Sequence, residues 1–60
     1  MRDPERIDKF CEELAVQWHK VPDWRFGQLI NNVIGTMAKK DIFFIEDDEM
    51  ISFFEDYFKE

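Results

Sequence analysis

The sequence predicts an all-α fold of three helices in one domain. Three observations lead there. Apolar residues recur at helical spacing in three separate segments. Acidic residues stand at the start of each segment, where an anion suits a helix N-terminus. Pro22 and a short apolar run at 41–45 interrupt the pattern between segments.

The first helix is predicted over about 4–20. Asp3 is placed to cap it, and Pro4 suits the first helical position, where its missing N–H costs nothing. Ile7, Phe10, Cys11, Leu14, Trp18 and Val21 form one apolar stripe. Five of them, Ile7, Cys11, Leu14, Trp18 and Val21, alternate steps of four and three, the spacing of a coiled-coil seam. The stripe makes Cys11 a core thiol. Asp8, Lys9, Glu12, Glu13 and Lys20 cover the other face, and Pro22 ends the helix by disfavouring helical geometry at Val21.

The second helix is predicted over about 24–39, with Asp23 as N-cap and Lys39 and Lys40 at the negative end of its dipole. Phe26, Leu29, Ile30, Val33, Ile34 and Met37 make its apolar stripe. The opposite face holds Gly27, Asn31 and Gly35, four residues apart. No charged residue occurs between Phe26 and Ala38, in a chain that is 37% charged. A solvent-facing helix normally carries Lys and Glu there, and each Gly weakens a helix interior by about 1 kcal/mol against Ala. A central helix packed on both faces is therefore expected. The alternative is that Gly27 and Gly35 mark a frayed start and an early C-cap, so the helix ends at either Gly35 or Lys39.

Four consecutive apolar residues, Ile42 to Ile45, are too few for a helix and read as an extended, partly buried strap at 41–45. Either Phe43 or Phe44 can face the core. The third helix is predicted over about 47–59. Ile45 and Met50 flank a cap at Glu46 as a hydrophobic staple, and Asp47, Asp48 and Glu49 fill the first turn. Its apolar residues, Met50, Ile51, Phe53, Phe54, Tyr57 and Phe58, span about 160° of arc, more than the roughly 100° that one core requires. A second contact is expected, within the domain or between chains.

Length bounds the rest. Sixty residues make one domain, 1–60, and a chain of that size buries only about 60% of its unfolded surface, so a monomer is marginal. Cys11 is the only cysteine, which excludes an internal disulfide. Aromatics are 17% of the chain, a large apolar load for so little interior, and oligomerisation is the expected remedy. The charged start Met1-Arg2-Asp3-Pro4 and the lack of any run near 18 apolar residues predict no signal peptide and no membrane span, hence a cytoplasmic protein. Net charge is −6. Residues 41–60 hold one Lys against eight Asp and Glu, which argues against direct nucleic-acid binding there.

No spacing in the chain carries a reaction, and no catalytic residue, cofactor or metal ligand is assigned. The run Glu46 to Glu49 lacks the twelve-residue spacing and the Gly of a calcium loop. Cys11 and His19 supply two ligands where zinc wants four, and they point to different faces of one helix. Trp24 points away from the stripe of the second helix: it either folds over the Pro22 turn or stands out with Arg25 as a binding anchor, both being hot-spot residue types. The interface candidates are Trp24, Arg25, Gly27, Asn31, Gly35, Phe43, Phe53 and Phe58.

Three blocks carry a resemblance. They are Met1-Arg2-Asp3-Pro4-Glu5-Arg6-Ile7, the run from Trp18 through Pro22, Trp24 and Gly27 to Ile30, and Phe44-Ile45-Glu46-Asp47-Asp48-Glu49. Together they cover about half of the chain, which in them resembles a group of short uncharacterised bacterial and phage proteins. The resemblance implies a bacterial or prophage setting and transfers no activity and no site residue. The expected role is non-enzymatic association, as a homodimer or higher oligomer or with another cytoplasmic protein. The rival is a regulator linked to nucleic acid, either helix-turn-helix-like, though without a basic recognition face, or an acidic mimic of DNA that neutralises a basic partner.

Overall fold

The computed structural model describes residues 2–59; Met1 and Glu60, the ends of the expected 1–60 domain, lie outside the described residues. Three α-helices follow one another: α1 (Glu5–Trp18), α2 (Phe26–Met37) and α3 (Asp47–Tyr57), with a 3₁₀ turn at Ile42–Phe44 before α3. No strand occurs among the described residues. The radius of gyration is 11.5 Å, close to the about 10 Å expected of a folded chain of this length.

Each helix is shorter than its predicted range, and local hydrogen bonds explain why. At the start of α1 the Asp3 carboxylate accepts the Glu5 N–H (2.9 Å). After Trp18 the chain turns tightly: Lys20 N–H donates to the Gln17 carbonyl, Val21 to Trp18 and Trp24 to Val21. These turns consume Asp23 and Trp24, so Asp23 does not cap α2. The cap position falls to Arg25, whose N–H donates to Gln28 Oε1 (2.8 Å). Gly35 lies inside α2, with no positive φ. The helix stops at Met37, where Ala38 turns extended while its N–H still bonds to the Ile34 carbonyl.

The expected strap at 41–45 is not extended. The Asp41 carboxylate accepts the Phe43 N–H (3.0 Å), the Asp41 carbonyl accepts from Phe44 and the Ile42 carbonyl from Ile45. An aspartate that satisfies the backbone two residues on favours a turn over a strand, so Ile42–Phe44 coils into one 3₁₀ turn. Ile45 is then buried while Ile42, Phe43 and Phe44 stay exposed.

Leu29, Val33, Ile34, Ile45 and Phe54 form the core, with Leu29, Val33 and Phe54 fully enclosed. Met50, Phe53, Tyr57 and Phe58 pack round it from α3 and its C-terminal end, as do Leu14 and Trp18 from α1 and Ile30 and Met37 from α2. Glu46 is the N-cap of α3, with Ile45 in the core before it and Met50 packed against that core after it. The central element is α3, which packs against both α1 and α2; the expectation of a central α2 is corrected. The wide apolar arc of α3 is accounted for by these two neighbours. Ile51, on the α1 side, is buried and lines a shallow groove with Phe10.

Helix α1 is rotated from its expected face. Its half-buried and buried residues are Phe10, Glu13, Leu14, Gln17 and Trp18, whereas Ile7 and Cys11 are exposed. Cys11 is thus a surface thiol and not a core one. The face turned inward keeps Phe10, Leu14 and Trp18 of the apolar stripe and adds Glu13 and Gln17, a rotation of about 40°.

Candidate interaction surface

Three surface regions carry the residues singled out in the sequence. The first is the 3₁₀ turn. Phe43 is 82% exposed and Phe44 66%, and their rings meet edge-on with centroids 5.0 Å apart. Neither faces the core. The turn is fixed at its base by the Asp41 bonds and by Ile45 beneath it, so the two rings are presented on an ordered loop. Sequence reasoning singled out Phe43 and left Phe44 open. The Asp41 turn signal marks both.

The second region is the outward face of α2. Gly27, Asn31 and Gly35 are all exposed, as is Gln28, while Asn32 is half-buried. A Cβ added at Gly27 or Gly35 would meet nothing within 4 Å. Within the described residues, therefore, nothing approaches this face, and the two-sided packing expected of α2 is not found. Leu29, Val33 and Ile34 supply the one buried side.

The third region joins the Pro22 turn to the end of α3. Trp24 is half-buried against Tyr57 and Phe58, with ring centroids at 6.4 and 6.2 Å. Its carbonyl accepts the Trp18 indole N–H at 2.8 Å. Trp24 thus folds over the turn and helps hold it. Phe58 and Phe53 are half-buried beside the core, and only Arg25 of this group is exposed. The structure therefore gathers Trp24 and Phe58, and leaves Phe43 on the turn and Gly27, Asn31 and Gly35 on α2 as separate exposed features. Ile7, Val16 and Phe26 are also exposed and were missed in the sequence. Val16 was legible as an apolar residue on the polar side of α1.

The acidic start of α3 is covered by cations from elsewhere in the chain. Arg2 Nη2 lies 2.8 Å from both oxygens of Glu46, Arg6 pairs with Asp47, and Lys40 Nζ lies 3.2 Å from Glu49. The helix dipole and these pairs account for the cluster. No group of three or more His, Cys, Asp or Glu gathers as a metal site among the described residues. None of their helices is long and apolar enough to cross a membrane. A last feature is an open, mainly apolar groove of about 240 Å³ lined by Ala15, Trp18, His19 and Pro22. No protein-family model matches the chain, and no curated protein or solved structure shows significant similarity to it.

Proposed function

We propose that this chain is a small, non-enzymatic interaction module that associates with copies of itself and uses the Phe43–Phe44 turn as its main anchor. The observation that carries this reading is the exposure of two adjacent aromatic rings on an ordered turn. Among the described residues only six apolar side chains are buried, yet three large ones in a row, Ile42, Phe43 and Phe44, remain outside. Aromatic side chains lose little conformational freedom on binding and carry large apolar area, which is why they concentrate at interface hot spots. The uncharged outer face of α2 supports the same reading, since it offers a second polypeptide a close approach without charges to desolvate.

Sedimentation equilibrium tests it. Between about 1 and 100 µM the mass of the native chain is expected to rise above the 7.4 kDa of one copy. Replacing both rings, Phe43→Ser with Phe44→Ser, is expected to weaken that rise by roughly tenfold or more in dissociation constant while leaving the helical circular dichroism unchanged. A mass fixed at one copy over the whole range rejects self-association.

A further inference from the structure

We infer that the first half of α1, over residues 2–13, is a detachable cover on α3. It lifts and unwinds as one unit while the end of α1, the Pro22 turn and the α2–α3 core keep their places. Lifting uncovers Ile51 and the acidic first turn of α3. The inference stands apart from self-association and holds for a single copy.

Helix α1 changes character at Leu14. From there on it is well anchored. Leu14 and Trp18 pack against the core, and Gln17 is buried. The Trp18 indole N–H donates to the Trp24 carbonyl (2.8 Å), and its ring meets that of Phe26 with centroids 5.6 Å apart. Before Leu14 the anchorage is slight. From Arg2 to Glu12 every residue is exposed except Phe10, which is half-buried. Phe10 shares a groove with Ile51, and both stand outside the apolar cluster around Phe54. Ile51 is nonetheless buried. The α2 side of α3 is that cluster, so the cover over Ile51 is α1.

The remaining attachments are electrostatic and weak. Arg2 Nη2 bonds both Glu46 oxygens at 2.8 Å, and Arg6 pairs with Asp47. All four side chains are two-fifths or more exposed, so water and ions screen them. These pairs set where the cover lies and hold it lightly. The net charge of the cover works against it. Residues 2–13 carry three Arg and Lys against five Asp and Glu, and they lie beside the carboxylates of Glu46, Asp47 and Asp48. So short a stretch is not a stable helix in water by itself, which couples release to unwinding. Release leaves Glu46 and Asp47 without their arginines, next to a bared Ile51. The cover therefore controls access to an acidic surface with an apolar centre.

Hydrogen exchange separates this from simple fraying. Each helical N–H bonds four residues back, so the N–H groups of Lys9 to Gln17 all depend on carbonyls of residues 5–13 and lose them together. The Trp18 N–H bonds to Leu14 and keeps its partner. In the native chain, exchange read residue by residue by NMR is expected to give Lys9 to Gln17 one shared protection factor. That value should lie at least roughly tenfold below those of Val33 and Phe54, with Trp18 following the core. Arg2→Gln combined with Arg6→Gln is expected to lower the shared value by a further factor of about three to ten and to leave Val33 and Phe54 unchanged. The same order is expected in the Phe43→Ser/Phe44→Ser chain, whose association is weakened, so the cover and the aromatic anchor stand or fall separately. Protection that climbs steadily from Lys9 to Gln17 is end fraying and overturns the unit. Protection equal to that of Val33 and Phe54 makes α1 part of one global transition and overturns the cover. An arginine variant that leaves the shared value unchanged, or lowers the core equally, does the same.

Discussion

The two helices that flank α3 do so in different ways. On one side α2 meets α3 through enclosed apolar side chains: Leu29, Val33 and Ile34 close on Phe54, with Ile45 from the preceding turn. On the other side α1 runs as near to α3, yet the only α1 residue that is buried is polar, Gln17 at 8% exposure. Phe10, Leu14 and Trp18 are half-buried, and Arg6 reaches across to Asp47. Proximity and burial are thus separate quantities. A helix can pack closely along its neighbour and still contribute little, because the stabilisation follows apolar area removed from water and not backbone distance.

The contrast makes a quantitative demand. Phe54→Ala opens a cavity in the enclosed half and is expected to cost about 3–5 kcal/mol. A domain of this length holds only roughly 3–9 kcal/mol in all, so this variant should be largely unfolded or nearly so. Leu14→Ala on α1 removes a half-buried side chain at the edge of the core and should cost about 1–2 kcal/mol. Urea titration followed by helical circular dichroism compares them directly. Equal losses would mean that α1 belongs to the same core as α2, and the distinction between the two sides would disappear.

Gln17 sharpens the same comparison from the opposite direction. Its Oε1 is buried with no hydrogen-bond partner among the described residues. A buried amide oxygen that has lost water and gained nothing is destabilising, and a similar-sized apolar residue removes that penalty. Gln17→Leu should therefore raise stability by about 1 kcal/mol and shift the urea midpoint upward. The same change at a position already well satisfied would be neutral or harmful. A drop in stability would show that the amide has a partner and that the α1 side is better built than its side chains indicate.

These residues also show what the sequence could and could not reveal. The three helices and the acidic first turns of α1 and α3 were legible, because periodicity and dipole complementation act within a few residues; Asp23, expected to do the same for α2, lies in the turn before it. The wide arc of α3 was legible too, and its explanation lies inside the chain: one helix between two others needs two apolar faces. The rotation of α1 was not legible. Its stripe and the face that turns inward overlap and differ by only about 40° of rotation, and which one meets α3 is decided by how α3 approaches, a long-range matter. The 3₁₀ turn was missed because a run of four apolar residues suggested extension, while the bond from the Phe43 N–H to Asp41 set the local geometry. For the interaction surface, the uncharged face of α2 was readable from the absence of Lys and Glu. The exposure of Ile7 and Cys11 was not, since both follow from the rotation of α1.

The smallest expected effect concerns the charged pair that spans the α1 side. The Arg6 and Asp47 side chains are 42% and 41% exposed, so water and ions screen their attraction. Arg6→Ala should cost only about 0.2–1 kcal/mol, and the difference from the native chain should shrink further in about 1 M salt, where the screening length falls to roughly 3 Å. Asp47 keeps a favourable place without its partner, because it sits in the first turn of α3 where the helix dipole attracts an anion. The pair then fixes the register of α1 on α3 more than it holds the helix down. A loss well above about 2 kcal/mol, persisting in high salt, would reverse this, since only a desolvated pair resists screening. The α1 side would then be a tightly closed polar interface, comparable to the α2 side in strength though not in chemistry.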